Sequence, residues 1–547
     1  MTAPTQPLHA VTADVNRTES WQWHRVLAVV QQCTARRFVA GVFEHRRGAH
    51  RVLTTDAFLA AYLTHSFLVK DNLHQTQITN TIRGWTPSQR IAVGLAPDAV
   101  ITYKMVTDGL ARLGRACESA TYPDWDAARF AQSLLDASLQ GHSPTGAVAL
   151  DSTDIETWGR IRYRKPLVDA DPDTPARPDH SDLPHIPDAP KGHDGRYIYT
   201  RDPDARMGWR SASQGEQNHF CGYDAHVITD VPASPKSAER PVPHVARTLC
   251  LAPAGRHKGV CGITALDALP PLPPPQELIA DRAYNFTRPT TFTIPAWQRG
   301  FTTIYDLHPN QRGRRPGPVA GTQWIDGTLY TTCLPEGLVD LAPLTRDMTT
   351  EQRAEIERLH QLRGAYAFTP HGSRDPDGRR RYRGPAVTHP SIRSPKAPRS
   401  MREDFRKPTV YCTGDTACGC AITVTLYDTD EPNLRMPMQH GTREWEDSYY
   451  RREGIESLFG DLKGNRLDLH RGAIRGYGLT RYTLLLGFAL ATMNMAILRD
   501  WHAKRHRLDP WGKVLGEPSP PVRRDRHPAT GRRPSRSTRR TTQRPDR

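Results

Sequence analysis

Lysine is scarce in this 547-residue chain: of 74 basic residues only 11 are lysine, and the rest are arginine. Apolar residues are few as well, at 37%. They form no uninterrupted run of about 20, the length a spanning helix needs, so no membrane partner is expected. The opening stretch MTAPTQPLHAVTADVNRTES lacks the basic-then-apolar layout of a secretory signal, and a cytoplasmic location is the expectation. Cysteine is limited to nine residues, an odd number, which argues against a disulfide framework.

What the chain does have is positive charge and loop-forming residues. A net charge of +16 favours a polyanionic partner, since each neutralised phosphate releases a counterion. Arginine's planar fork suits phosphates and guanine edges, although a GC-rich genome would produce the same bias. With 47 prolines and 40 glycines, a folded framework carrying large insertions is expected. The length exceeds one ordinary domain.

Five regions follow from the pattern. Residues 1–145 read as helical, with apolar residues at helical spacing from Trp21 to Arg37. Thr55-Asp56 is read as a cap, and Thr86-Pro87 as a helix start. This region could be a DNA-reading module of helix-turn-helix type or a plain helical bundle. Residues 146–310 turn to strands: AVALDST, then CGYDAHVITDV and HVARTLCLAPA, the helix GVCGITALDAL, the strand ELIAD, and GFTTIYDL. A polar excursion, Asp169 to Pro190, interrupts them, and PPLPPP reads as a rigid lead-in to a strand. Residues 311–440 are rich in Arg, Gly and Pro and hold one short helix whose Thr349 and Gln352 fit a capping box, so this region reads as an insertion. Residues 441–505 are helical again. Residues 506–547 read as a disordered basic tail, with ten arginines against three acids from Glu517 onward. The fold class expected is α/β, a mixed sheet with helices.

Phosphodiester chemistry needs carboxylates that clamp divalent cations. Asp151 and Asp281 each end an apolar run, and strand ends are where sites gather in open α/β sheets; starting a turn is the other reading of an aspartate there. Asp154 is a rival for the first position. Tyr449, Arg452, Glu456 and Lys463 fall within about 60° of one another on a helical wheel. Such a stripe is a poor core face. It suits either a solvated charged surface or the wall of an active site, where arginine and lysine hold phosphates beside a metal-binding carboxylate.

The spacing Y449-x2-R452-x3-E456-x6-K463 resembles the Y-R-E-K signature of bacterial insertion-sequence DDE transposases. ALDSTDIETWG and LIADRAYN resemble that family's two aspartate strands, and FCGYDAHVITD and LAPAGRHKG its intervening segments. The resemblance covers about residues 146–310 and 441–500, is weak in the N-terminal helices and is absent from the tail. It implies an RNase H-like catalytic domain interrupted by a long insertion before the glutamate helix. It also implies Mg²⁺ (or Mn²⁺) held by Asp151, Asp281 and Glu456, with Tyr449, Arg452 and Lys463 gripping double-stranded DNA. Terminal inverted repeats would be cleaved and their 3′-OH ends joined to target DNA by a homodimer in a bacterial, nucleoid-associated setting. The alternatives are a catalytically silent DNA-binding derivative acting as a regulator, and a repair or restriction nuclease of the same fold, which leaves the Tyr/Arg/Lys stripe unexplained.

Cys412, Cys418 and Cys420 lie within nine residues, close enough to suit a structural Zn²⁺ or to be three reduced thiols. A fourth ligand is not local; Cys333 or His440 could supply it.

Overall fold

The structure, a computed structural model, describes residues 20–44, 52–164, 197–211, 217–235, 242–255, 258–345, 347–388, 392–393, 410–411 and 418–520. The polar excursion from Asp169 to Pro190, Cys412, and the basic tail beyond residue 520 lie outside these.

Seven helices come first: α1 (Ser20–Gln32), α2 (Ala35–Phe43), α3 (Thr55–Leu68), α4 (Gln75–Arg83), α5 (Pro87–Ala92), α6 (Tyr103–Cys117) and α7 (Ala127–Leu139). Their starts are set by local chemistry. Thr86 and Gln89 form a reciprocal capping box ahead of Pro87. Thr54, rather than the expected Thr55-Asp56 pair, caps α3 by accepting the Ala57 N–H.

A six-stranded mixed sheet follows, made of β1 (Ala147–Glu156), β2 (Arg206–Ser211), β3 (Gln217–Val231), β4 (Ala246–Pro253), β5 (Glu277–Ala280) and β6 (Thr302–Tyr305). Strand β1 lies between β3, antiparallel to it, and β5, parallel to it. β6 adds in parallel beyond β5, while β2 and β4 both pair antiparallel with β3 along successive stretches of its length. Helix α8 (Lys258–Asp267) connects β4 to β5. The chain is therefore mixed α/β, as the pattern predicts.

The insertion is more ordered than its composition suggests. It holds two three-stranded antiparallel sheets, β7 (Arg314–Pro316) with β8 (Thr322–Ile325) and β9 (Thr328–Thr331), and β10 (Thr369–His371) with β11 (Arg379–Arg383) and β12 (Thr423–Tyr427). Helix α9 (Thr350–Gly364) starts with the expected Thr349–Gln352 capping box.

After it come α10 (Arg443–Tyr449), α11 (Glu453–Gly460), the long α12 (Leu479–Ala503) and α13 (Pro510–Val514). Helix α12 is apolar along most of its length, though no uninterrupted run of about 20 apolar residues occurs in it. By length and composition this helix could cross a membrane, and 89% of its most apolar window is buried inside the protein. Arg481, Thr483, Thr492 and Asn494 break the run on paper and so conceal it. Helix α12 packs on α3 and α7 on one side and on β4 on the other, and a single apolar core runs from Trp23 through Phe488 to Trp511. Buried Asn494 fixes the sheet edge to it: Oδ1 accepts the Ala246 N–H at 2.8 Å and Nδ2 donates to the Ala246 carbonyl at 2.9 Å. Those two bonds satisfy a backbone amide that the ladder leaves open.

Candidate active site

Asp151 does not end its strand; β1 runs five residues further, to Glu156. The parallel register pairs Leu150 with Ala280, so Asp151 and Asp281 are the next residues on two neighbouring strands, whose backbones lie about 5 Å apart. Where β1 continues, β5 stops: Asp281 caps the short helix 282–285, accepting the Arg282 N–H at 2.7 Å. The Asp151 side chain is 16% exposed and accepts its neighbour Ser152's N–H at 2.7 Å.

Burial pushes the Asp151 carboxyl up to about 6. The Arg452 charge opposes this, the Asp281 charge adds to it, and the Ser152 N–H and Lys258 oppose it again.

The helix facing them is not continuous. A 3-10 turn at Tyr450–Arg452 separates α10 from α11, and a π turn at Asp461–Asn465 follows α11. Neighbouring residues on a helix point about 100° apart, and the two consecutive arginines here take different tasks. Arg451, buried, donates to Glu277 Oε2 at 2.6 Å and to the Pro232 and Ser448 carbonyls, anchoring the turn to the start of β5. Arg452 turns to the site: Nη1 donates to Asp151 Oδ2 at 2.7 Å and Nη2 to Glu456 Oε1 at 2.5 Å. Its guanidinium also lies 5.6 Å from the centre of the Tyr449 ring.

Tyr449 is buried and stacks on Trp445, with ring centres 5.0 Å apart and planes 9° apart. Trp445 donates from its indole to the Tyr305 carbonyl at 2.8 Å, so β6 holds the aromatic pair in place. Glu456 is 54% exposed, at the mouth of the site. Lys463, carried by the π turn, leaves the stripe and pairs with Asp154 instead. The two aspartates of β1 are thereby assigned different partners, Arg452 for Asp151 and Lys463 for Asp154. Beyond the Asp154–Lys463 pair a cleft of ≈ 370 Å³ opens, lined also by Glu156, His470, Arg471 and Tyr482.

Tyr449, Arg452, Glu456, Asp151 and Asp281 are thus brought together, with Lys463 beside them on Asp154. The three carboxylates do not place three oxygens within 4.8 Å of one another; among the described residues only Cys333, Cys418 and Cys420 form such a group. The Arg452 guanidinium bridges Asp151 to Glu456 and supplies the positive charge there.

Of the two distant ligands offered by the sequence, Cys333 or His440, the structure brings Cys333 to the cluster, while Cys412 lies outside the described residues. Cys333 joins Cys418 and Cys420, with thiols close enough to hold a metal ion. His440 is elsewhere, bonded to Asp306 at 3.0 Å and packed on Trp445 at 4.3 Å.

Sequence reasoning passed over Arg451, Trp445 and the Tyr284–His226 pair, whose hydroxyl and Nδ1 are 2.7 Å apart in the core. Trp445 had a usable signal, since an aromatic four residues before Tyr449 meets it on a helix. Arg451 had none, because its partners, the Pro232 carbonyl and Glu277, lie far away in the sequence.

No protein-family model matches the chain, and no curated protein was found to be similar to it.

Proposed function

We propose that the chain is a DDE transposase that cleaves and joins DNA at the ends of an insertion sequence. The observation that carries the reading is that Asp151 and Asp281 each follow directly on the paired residues Leu150 and Ala280 of two parallel strands, with Glu456 reached through Arg452. The strand order supports an RNase H-like catalytic domain: an antiparallel β4-β3-β1 meander with β5 and β6 added in parallel on the far side of β1. The 130-residue stretch assigned to the insertion lies between β6 and α10, ahead of Glu456.

The donor set fits Mg²⁺ or Mn²⁺. It is made of hard carboxylate oxygens, from Asp151 on β1, Asp281 just past the end of β5 and Glu456 on α11, and burial raises the Asp151 carboxyl, which a divalent ion would hold deprotonated. Asp151, Asp281 and Glu456 would hold the metal, whose chemistry is to activate the attacking oxygen and stabilise the leaving one. A third donor of Arg452, its Nε, is buried with no partner among the described residues. Lys463 and Arg471, along the cleft beyond Asp154, would track the next phosphates of a duplex end. Tyr449, rigid on Trp445, sets the wall against which Arg452 lies.

The test is strand cleavage by the full-length chain, with Mg²⁺, of duplexes carrying the ends that flank its gene. Asp151→Ala, Asp281→Ala and Glu456→Ala should each lower cleavage at least ~10³-fold while end binding persists. Alanine variants that cut like the parent would sink the assignment. A parent that binds ends and never cuts would favour the silent regulatory derivative.

A further inference from the structure

The insertion carries a second group of metal-binding atoms, remote in sequence from the carboxylates. Cys333 follows β9, and Cys418 and Cys420 precede β12, so the three come from the two separate sheets of the insertion. Their Sγ atoms lie within 4.8 Å of one another, and Cys333 Sγ is 2.8 Å from Cys420 Sγ. Cys418 and Cys420 are 7% and 0% exposed, and Cys333 is half-buried.

The surroundings are built for sulfur that carries charge. The Cys420 N–H donates to Cys418 Sγ at 3.4 Å. The Thr331 hydroxyl, fully buried, lies 3.4 Å from Cys420 Sγ and 3.5 Å from Cys333 Sγ. Such outer donors orient thiolate ligands and offset their charge. The turn at Cys418-Gly419-Cys420 depends on a bare backbone: a Cβ on Gly419 would lie 2.4 Å from the Gly321 carbonyl oxygen, at the point where the β7–β8 connection meets this strand. The same contact carries a hydrogen bond, Gly419 N–H to Gly321 O at 3.1 Å. As neutral thiols the three crowd one another, with Cys333 Sγ and Cys420 Sγ only 2.8 Å apart. A soft divalent cation removes that conflict by taking the protons' place.

We infer that Cys333, Cys418 and Cys420 hold a structural zinc ion that clips the two sheets of the insertion together. Binding displaces three thiol protons to solvent and forms three zinc–sulfur bonds, with no change of oxidation state. The clip closes a loop of 87 residues between Cys333 and Cys420. It stabilises the β9–β12 junction, where the small apolar cluster around Tyr330, Tyr366 and Ala386 has little area of its own.

The experiment uses the full-length chain, purified without chelator and with thiols kept reduced. Elemental analysis should find about one zinc per chain. X-ray absorption at the zinc edge should give three or four sulfurs at about 2.3 Å. Cys333→Ser, Cys418→Ser and Cys420→Ser should each lose most of the metal, whereas Cys250→Ser should keep it. Zinc below about a fifth of an equivalent, or fewer than three sulfurs on the metal, overturns the inference. So does a Cys333–Cys420 disulfide found by mass spectrometry in the chain as purified. If the serine variants fail to fold, zinc content and sulfur count in the parent still decide. Asp151→Ala and Glu456→Ala should keep full zinc, which separates this clip from the proposed DNA chemistry: either reading can fail without the other.

Discussion

Arg452 Nη1 sits 2.7 Å from Asp151 Oδ2 while its other terminal nitrogen holds Glu456, so one guanidinium spans two carboxylates the proposed chemistry assigns to metal. An arginine so placed competes with a divalent ion for the same oxygens. Arg452→Ala should lower the unfolding free energy of the metal-free protein by about 1–3 kcal/mol at pH 7, because Asp151 is left beside Asp281 with less compensation. Mg²⁺ should then stabilise the variant more than the parent, while affinity for duplex DNA falls. Urea titrations with and without Mg²⁺ read both effects. Equal stabilisation of the two proteins by Mg²⁺ would show that the arginine and the metal do not compete.

The raised Asp151 carboxyl sets a pH dependence. With a folded-state value of about 6 against 3.8 for an ordinary aspartate, the folded chain holds a proton here that the unfolded chain has released. The group therefore favours folding at low pH and loses that contribution as pH rises from 3.8 to about 6. Metal binding runs the other way, since the ligand must be deprotonated. Mg²⁺ affinity, followed by calorimetry in the absence of DNA, should rise by up to ~10-fold per pH unit below 6 and level off above it. In Asp151→Asn that pH-dependent component should vanish; a parent whose affinity is flat between pH 5 and 7 contradicts the prediction.

The sheet could be read from the sequence because buried strands announce themselves: AVAL, LIA and the long CGYDAHVITDV run admit few other placements. The insertion's hairpins had equally good signals that composition obscured. Asp326-Gly327, both at positive φ, joins β8 to β9, and an Asp-Gly pair between alternating runs is a strong hairpin mark. At the site, the order of the two aspartates and the i,i+4 relation of Arg452 to Glu456 follow from local spacing. The departure of Lys463 does not, because a π turn shifts every later residue off the α-helical wheel. Nor does the choice of Cys333 over His440, since residues 87 positions apart meet only where two separate sheets come together.

Gly487 marks a close approach of α12 to α7. A Cβ there would lie 2.8 Å from the Ala131 Cβ and 2.9 Å from its Cα, both held by α7. Alanine gains about 1 kcal/mol of intrinsic helix preference over glycine. Forcing two packed helices apart costs about 1–3 kcal/mol, so Gly487→Ala should lower stability on balance. The urea midpoint should fall; an unchanged or higher midpoint would mean that α7 yields without cost.

His65 provides an acid-sensitive point in the same helical layer. It is fully buried on α3, with Nε2 3.1 Å from the Asn72 carbonyl and Nδ1 3.0 Å from the Thr81 hydroxyl. A carbonyl only accepts, so the neutral ring carries its proton on Nε2. A second proton would place a charge inside the apolar bundle. Burial accordingly lowers the imidazole to about 4 from an ordinary 6.5, against the opposing effect of the Asn72 contacts. The unfolded chain takes up the proton first as pH falls. The stability tied to neutral His65 is complete above 6.5 and is lost progressively between 6.5 and 4, by up to about 3 kcal/mol. His142, also lowered to about 4 by burial and by the Arg247 and His502 charges, acts in the same window. Urea midpoints measured from pH 7.5 down to 4 should drop steeply for the parent. His65→Gln starts lower, having lost the fitted ring, but should fall less across the window, because glutamine has no proton to gain. Parallel curves for the two proteins would remove His65 from the account and leave acid sensitivity to other groups.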